Sequence, residues 1–289
     1  MKKWLGVSFA LVVMTAVATL PFFYIGEDQK VGCCGGEMPV THDSWMHFNQ
    51  MRAFYRGLES GRVYPRWDEE THGGYGAPTL AFYPAGAYYV TSFFYFLTRD
   101  WVRAWIGFYW LASFASAAAI FYYARRHGNG MSRAASLLAA AVYVFAPYHL
   151  INQYQRGAMA EFLSFVWMPL VLSFAERLCD TGGMDDQSAK RTLLSFAGLS
   201  ASFGAFLWSH PPTAYQFLLV FGPCFAVWAL RMKRIRGLLI IGCALVFGSM
   251  IAAAYFYPAI AERNLVYYED VERTWPYHAS YVYDFGQKV

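Results

Sequence analysis

Charged residues are scarce in this chain of 289 residues. Only 15% of the residues are Asp, Glu, Lys or Arg, whereas 57% are hydrophobic and 20% are aromatic. Because soluble domains carry about 25% charged residues, this composition argues against a soluble protein. The net charge of +4 at neutral pH is also too small to indicate binding to nucleic acid.

The sequence lacks the motifs of the common soluble enzymes. It contains no phosphate-binding GKS or GKT loop, no GxSxG nucleophile elbow and no HExxH zinc motif. Its five cysteines are scattered except for Cys33 and Cys34, so they indicate neither a zinc site nor a disulfide framework. For this adjacent pair we favour two free thiols over a vicinal disulfide, because a bridge between neighbouring residues has unfavourable geometry.

Long apolar runs are abundant instead. A helix that crosses a bilayer needs about 20 mostly apolar residues, because every backbone amide in hydrocarbon must be paired within the segment. The candidate runs are Trp4 to Ile25, Trp105 to Tyr123, Ala134 to His149, Phe162 to Phe174, Leu193 to Ser209, Ala214 to Leu230 and Gly237 to Tyr257. The sequence therefore predicts an all-α integral membrane protein with about seven transmembrane helices.

An eighth apolar run, Leu80 to Leu97, is interrupted by Pro84 and Gly86. Basic residues cluster at the N-terminus and in segments 124–133 and 231–236, and basic segments favour the cytoplasmic side of a membrane. The three basic clusters lie on the same side of the membrane only if the eighth apolar run does not cross it. We therefore predict a multi-pass protein of the cytoplasmic (inner) membrane with its N-terminus inside. The eighth run is then a re-entrant or interfacial helix on the outer face.

The first apolar run has two interpretations. Lys2, Lys3, an apolar stretch and the small residues of AVAT (16–19) resemble a cleaved secretory signal. The run continues to Ile25, further than a signal requires, which favours a retained membrane anchor. In either case the segment that follows is extracytoplasmic.

The predicted topology places four segments on the outer side, where they could share one surface. They are a first loop over 26–102 with helices at 43–60 and 80–97, a short loop near 151–161, a turn at 210–213 and a tail over 258–289. Candidate functional residues occur in all four.

The first loop contains an acid and a histidine at helical spacing. Thr41 or Asp43 can cap the predicted helix, and Asp43 and His47 then lie four residues apart on one face. Such a pair could be a general base and the group that orients it, or ligands of a divalent cation. The alternative is a capping aspartate beside a histidine with no function, and the spacing alone favours that alternative.

Arg156 and Glu161 form a second candidate pair, within YHLINQYQRGAMAEFL (148–163). Arg156 could hold a phosphate through bidentate hydrogen bonds, and Glu161 could be a second carboxylate facing Asp43. The two residues could equally form a salt bridge that clamps the loop, because a lone buried charge is costly.

Two further candidates lie where apolar runs end. His210 precedes Pro211 and Pro212, and a histidine in such a turn more often caps a helix than catalyses a reaction. Glu262 follows the last run closely, ahead of a charged tail that is typical of a solvated segment.

The motifs resemble a known family. Asp43 with His47, followed by GRVYPRW, GGYGAPTLAFYPAGAYY, YQRGAMAE, WSH and YPAIAE, resemble the bacterial membrane proteins called 6-pyruvoyl-tetrahydropterin-synthase-related. That family looks like a branch of the GT-C superfamily of polytopic glycosyltransferases. The resemblance covers nearly the whole chain. It implies a GT-C-like module of seven membrane helices with two outer-face helices in the first loop, which agrees with the topology from charge.

The resemblance also implies a function. Enzymes of this superfamily move a sugar from a polyprenyl-phosphate carrier to an extracytoplasmic glycan, lipid or protein acceptor. Asp43 occupies the usual position of the catalytic acid, with His47 supporting it. By the same analogy Arg156 binds the lipid phosphate, while Glu161 and His210 line the pocket.

Trp67, Tyr75 and Glu262 lie within the motifs that carry the resemblance and are further candidates for binding substrate. Relatives often carry a second acid in the short loop, as part of a DxD-like motif. Here Gln155 and Arg156 stand there instead, which leaves open whether Mg²⁺ or Mn²⁺ is used.

Relatives usually continue with further spans, whereas this sequence stops at Val289. We therefore expect a downstream-encoded C-terminal half as a partner, or an inactive fragment of a larger enzyme. The alternative from another class is a non-catalytic membrane subunit or a protein that binds or transports the lipid carrier. The near absence of charge inside the runs argues against ion-coupled transport.

Overall fold

The computed structural model describes residues 2–23, 30–33, 36–127, 130–180 and 186–266, and these residues are almost entirely helical. The α-helices in these ranges are α1 (Lys2–Thr19), α2 (Ser44–Glu59), α3 (Gly86–Thr98), α4 (Trp101–Arg126), α5 (Arg133–Val144), α6 (Pro147–Leu150), α7 (Met159–Asp180), α8 (Asp186–Ser209), α9 (Pro211–Arg231) and α10 (Ile235–Ala261). A short antiparallel hairpin, β1 (Lys30–Cys33) and β2 (Gly36–Pro39), precedes α2. The prediction of two free thiols involves Cys34, which lies outside the described residues, and so does the tail beyond Val266.

Six helical segments in the described part are long and apolar enough to cross a membrane, or seven if a bent pair counts as one span. The six are Trp4–Phe23, Trp101–Arg126, Met159–Asp180, Gln187–Ser209, Pro211–Arg231 and Ile235–Leu265. The prediction of an all-α membrane protein with about seven spans is therefore confirmed at this level.

One predicted span differs from the structure, because it is divided into the bent pair of helices. The run from Ala134 to His149 is not one straight helix, because α5 ends at Val144 and the next helical segment, Pro147–Arg156, departs at 47°. Pro147 occupies the first position of α6, where its missing N–H costs nothing, but it cannot continue α5. Beyond α6 the chain forms a π-helix, Ile151–Arg156.

The two helices predicted in the first loop are α2 and α3. The segment predicted at 43–60 is helical from Ser44 to Glu59. The one predicted at 80–97 begins only at Gly86, because a 3₁₀ turn and Pro84 come first, and its 13 residues are too few to span a bilayer. The β1–β2 hairpin was not predicted, since its strands are short and rich in glycine.

A cluster of buried aromatic side chains packs α2 against the neighbouring helices. Phe54, Tyr88, Trp105, Tyr109 and Phe162 are all fully buried and belong to one cluster that joins α2, α3, α4 and α7. Burying a large apolar side chain stabilises a fold by about 1.5–3 kcal/mol. This cluster therefore fixes α2 and α3 against the spans. Residues 1–252 form one compact unit and a second begins at Ala253.

Contacts between helix ends define two ends of the first unit. Asp180 pairs with Arg234, Glu176 lies 2.7 Å from His127, and Arg133 stacks over the ring of Trp4. The N-terminus and the basic clusters therefore share one end, which we call the basic end. The opposite end, which carries α2, α3 and the start of α4, is called the site end. That the basic end faces the cytoplasm stays a prediction.

Candidate functional site

The segment before α2 is bonded directly to the π-helix. The backbone N–H of His42 donates to the carbonyl of Gln155 at 3.1 Å, and that of Asp43 donates to the carbonyl of Arg156 at 2.9 Å. Asp43 and Arg156 are far apart in the sequence, yet these bonds make them neighbours. Both residues therefore lie at the site end of the first unit.

Gly157 makes this close approach feasible. It ends the π-helix with φ at +67°, a conformation that favours glycine. A Cβ atom at this position would overlap the Oγ1 of Thr41 and lie 2.9 Å from its Cβ. Glycine is therefore required both by the backbone conformation and by the neighbouring segment.

We expect Gly157→Ala to lower the melting temperature of the purified protein and to separate Asp43 from Arg156. The substitution adds a conformational cost of about 1 kcal/mol to the overlap with Thr41. Gly61→Ala is the matched control, because Gly61 has φ at +86° but a Cβ atom there would meet no other atom within 4 Å. An equal fall in melting temperature for both variants would contradict the proposed overlap.

Arg156 lies at the centre of a network of polar side chains. Its Nη1, which carries two N–H bonds, lies within hydrogen-bond distance of three oxygens: Glu161 Oε2 at 2.6 Å, Asn152 Oδ1 at 2.9 Å and the Tyr148 hydroxyl at 3.2 Å. The Tyr148 hydroxyl in turn donates to Glu161 Oε1. Glu161 is only 8% exposed, so its negative charge is balanced inside the protein by this one arginine.

The other nitrogens of Arg156 remain available. All three contacts use Nη1, so Nε and Nη2 have no hydrogen-bond partner among the residues that the structure describes. The side chain of Arg156 is 37% exposed. A guanidinium that is fixed on one side and open on the other can donate two further hydrogen bonds to an anion.

Asp43 presents a carboxylate that caps nothing. It stands at the N-cap position of α2, but its side chain makes no cap hydrogen bond. The hydroxyl of Ser44 bonds the backbone of Thr41 instead. Partial burial raises the pKa of Asp43 above its ordinary value, and the nearby charge of Glu161 adds to this, while Arg156 and His42 oppose it. The carboxylate therefore lies within the electrostatic reach of both members of the Arg156 pair.

His210 lies in the same neighbourhood. It caps the start of α9, and its Nδ1 is 2.6 Å from the hydroxyl of Thr213. Burial lowers the pKa of His210, while the charge of Glu161 raises it and that of Arg156 lowers it further. Trp167 holds the preceding turn against α7 through a 2.8 Å hydrogen bond to Ser209. His210 therefore lies within electrostatic range of Arg156 and Glu161, and its place in a common site with Asp43 stays a prediction.

His47 is placed differently from the expectation. It is fully buried, and its Nδ1 is 3.0 Å from the hydroxyl of Tyr88, which donates to Gln50. Burial lowers the pKa of His47 to about 3, so the ring is neutral at physiological pH. Its Nε2 has no partner among the described residues. The His47 ring is thus bonded to Tyr88, while its link to Asp43 is a backbone bond, from the His47 N–H to the Asp43 carbonyl at 2.9 Å. The catalytic role of His47 stays a prediction.

Trp67, Tyr75 and Glu262 remain candidates on sequence grounds. Trp67 lies against Gly76 in a loop closed by the bridge between Asp68 and Ala77, and Tyr75 is 89% exposed. Glu262 belongs to the second unit, where it precedes a 3₁₀ turn, Arg263–Leu265.

The donor atoms of the site do not fit a resident divalent cation. In the part of the chain that the structure describes, no three His, Cys, Asp or Glu side chains are grouped as metal ligands. Both oxygens of Glu161 are bonded to Arg156 and Tyr148, which leaves the carboxylate of Asp43 on its own.

Sequence analysis missed Tyr148 and Asn152 as members of the site. Together with Arg156 they recur every four residues, the spacing that places side chains on one helical face. That pattern was the available signal. The backbone bonds from His42 and Asp43 left no signal in the sequence.

Asp43 and Arg156 thus form a polar cluster at the site end of a chain whose described part contains six helices long and apolar enough to cross a membrane. Residues 80–275 match the model of the 6-pyruvoyl-tetrahydropterin synthase related domain, which is described as a membrane protein. The chain belongs to this family. The matched range includes Arg156, Glu161, His210 and Glu262, whereas Asp43 and His47 precede it.

A relative of greater length is also similar. An uncharacterized protein of Lactococcus lactis subsp. cremoris (strain MG1363) is 26% identical over 199 residues, which are 68% of this chain and 28% of that protein. The chain therefore spans less than a third of the length of this relative. No solved structure matches the chain.

Proposed function

We propose that this protein is a membrane glycosyltransferase of GT-C type, which moves a sugar from a polyprenyl-phosphate carrier to an acceptor hydroxyl outside the cytoplasm. The observation that supports this most is that Asp43, whose side chain makes no cap hydrogen bond, lies within electrostatic range of Arg156, whose Nε and Nη2 have no partner among the described residues. A base and a phosphate-binding group are the two components that this reaction requires.

Asp43 is the proposed base. It takes the proton of the acceptor hydroxyl as the hydroxyl oxygen attacks the anomeric carbon of the sugar. The bond from that carbon to the phosphate oxygen breaks at the same time, so the configuration inverts and the carrier leaves as polyprenyl phosphate. The raised pKa of Asp43 makes it a better base than an exposed aspartate.

Arg156 is the proposed binding group for the departing phosphate. Its contacts with Glu161, Asn152 and Tyr148 fix the guanidinium before substrate arrives, so little order is lost when a phosphate binds. Glu161 serves to position Arg156 and does not itself accept a proton. His210, at the start of α9 and within electrostatic range of both, is proposed to line the substrate pocket.

The location of the site suits two substrates of unlike solubility. A polyprenyl carrier lies in the bilayer, while a glycan or protein acceptor arrives from water. A site at the end of the spans is reached by both. This proposal includes the predicted orientation, with the site end on the outer face of the cytoplasmic membrane.

The proposal is tested with the purified protein in liposomes that contain synthetic polyprenyl-phosphate hexoses with a radiolabelled sugar. We expect the label to leave the organic phase when an envelope extract is supplied as acceptor, and the carrier to be recovered as polyprenyl phosphate. Liposomes with the Arg156→Gln variant serve as the control. Tight retention of the carrier with no transfer would instead indicate a binding subunit.

A further inference from the structure

A second polar pocket lies further along α2, away from Asp43. It encloses about 220 Å³ between α2 and the turn from α3 to α4. Arg52 is nine residues beyond Asp43, which corresponds to roughly 13 Å along the helix axis. The pocket is lined by Arg52, Tyr55, Arg56, Glu59, Tyr95 and Trp101.

The wall of the pocket is rigid. Tyr95 stacks on Trp101 with ring centroids 3.7 Å apart, and Tyr55 meets both rings edge-on. Arg99 donates to the hydroxyl of Tyr55 at 2.7 Å and lies 3.5 Å from Glu59. These contacts hold the aromatic side and the Glu59 carboxylate in place, so the pocket does not depend on a ligand for its shape.

The charge in the pocket is unbalanced. Arg52 and Arg56 both contact one carboxylate, that of Glu70, and Arg52 lies 3.9 Å from it, at the limit of an ion pair. Glu59 is already paired with Arg99. Arg56 pairs closely with Glu70 and also lies within electrostatic range of Asp68. Among the described residues Arg52 has no ion pair closer than 3.9 Å, so its guanidinium can donate to an anionic ligand.

The pocket lies beside a surface suited to lipid. Phe93, Phe96 and Leu97 flank Tyr95 on α3 and are 56%, 60% and 59% exposed. Trp101 is the first residue of a membrane span, a position typical of aromatic side chains at the boundary between lipid and water. The polar pocket thus shares α3 with an exposed apolar face.

We propose that this pocket binds the phosphate of an anionic phospholipid, whose acyl chains lie along the exposed face of α3. Arg52 and Arg56 donate hydrogen bonds to the phosphate oxygens, and the rigid aromatic wall encloses the headgroup. This site is separate from Arg156, and the proposal does not rest on the glycosyltransferase function.

The test is native mass spectrometry of the detergent-purified full chain with added phosphatidylglycerol, compared with phosphatidylcholine and with soluble glycerol phosphate. We expect phosphatidylglycerol to bind, and the variant with Arg52→Gln and Arg56→Gln to bind it at least about tenfold more weakly. Arg103→Gln is the matched control, because Arg103 is an exposed arginine of the same end that does not line the pocket. Its affinity should match that of the wild type.

A variant that is expected to bind phosphatidylglycerol more tightly distinguishes loss of recognition from loss of structure. Glu70→Gln removes the carboxylate that competes for Arg52 and Arg56, so we expect it to bind phosphatidylglycerol more tightly. Weaker binding in Glu70→Gln, or unchanged binding in the double arginine variant, would overturn the proposal. Equal occupancy by glycerol phosphate or phosphatidylcholine at the same concentration would also overturn it, since the site would then not select an anionic lipid.

Discussion

Replacing Asp43 with Asn is expected to lower the rate of sugar transfer at least about 100-fold while leaving the fold intact. The amide has the shape of the carboxylate but cannot take a proton from the acceptor. The side chain of Asp43 makes no cap hydrogen bond, so its replacement removes no contact that holds α2. The rate is measured in liposomes with labelled polyprenyl-phosphate sugar, and the fold by the melting temperature.

Asp100→Asn is the matched control for this variant. Asp100 is also an N-cap aspartate at the site end, but its carboxylate accepts a 3.0 Å hydrogen bond from the backbone N–H of Arg103. We expect this variant to lose some stability, up to about 1 kcal/mol, and to keep its transfer rate. Unchanged transfer in Asp43→Asn would remove Asp43 from the mechanism.

The dependence of transfer on pH gives a second measurement on the same residue. The base must be ionised, and burial raises the pKa of Asp43. The rate should therefore fall on acidification at a pH above the ordinary range of aspartate, because the carboxylate gains its proton earlier. If the transfer rate does not fall on acidification until the protein itself unfolds, a role for Asp43 as the base is contradicted.

The spans could be predicted from the sequence because their signal is local. An apolar run of sufficient length must be helical in a bilayer, whatever its neighbours are. The bend at Pro147 also had a local signal, but the length of the run from Ala134 to His149 outweighed it. The late start of α3 also had a local signal. Pro84 and Gly86 interrupt the apolar run from Leu80 to Leu97, and the helix begins only at Gly86.

The candidate site depended on contacts between distant segments, which periodicity does not report. The sequence indicated Asp43, Arg156 and Glu161 as chemically useful residues, yet their proximity follows from two backbone hydrogen bonds and from the absence of a side chain at Gly157. The same limit explains why the orientation of the His47 ring was not predicted. Its spacing placed it beside Asp43, whereas packing of α2 against α3 turned the ring towards Tyr88.

The ion pair between Arg156 and Glu161 was predicted in two alternative roles, as a clamp and as part of a binding site. The structure provides contacts for both, because Nη1 bonds Glu161 while Nε and Nη2 stay open among the described residues. The two roles are separable by experiment, since the clamp determines stability and the open nitrogens determine affinity for the carrier.

We expect Arg156→Gln and Glu161→Gln each to lower the free energy of unfolding by about 1.5–3 kcal/mol, and the double variant to lose less than the sum. Each single change leaves a charged partner without its counterpart, whereas the double change removes both charges. Arg103→Gln is the control, because its pair with Asp100 is exposed and should contribute about 1 kcal/mol or less.

The two single variants should differ in affinity for the carrier, although they lose similar stability. Arg156→Gln removes the two open nitrogens and should abolish retention of polyprenyl phosphate by the detergent-purified protein. Glu161→Gln keeps those nitrogens and should retain part of the binding, because Asn152 and Tyr148 still hold the guanidinium. If stability losses were additive and both variants bound the carrier equally well, the pair would be neither a clamp nor a phosphate site, and the proposed role of Arg156 would be wrong.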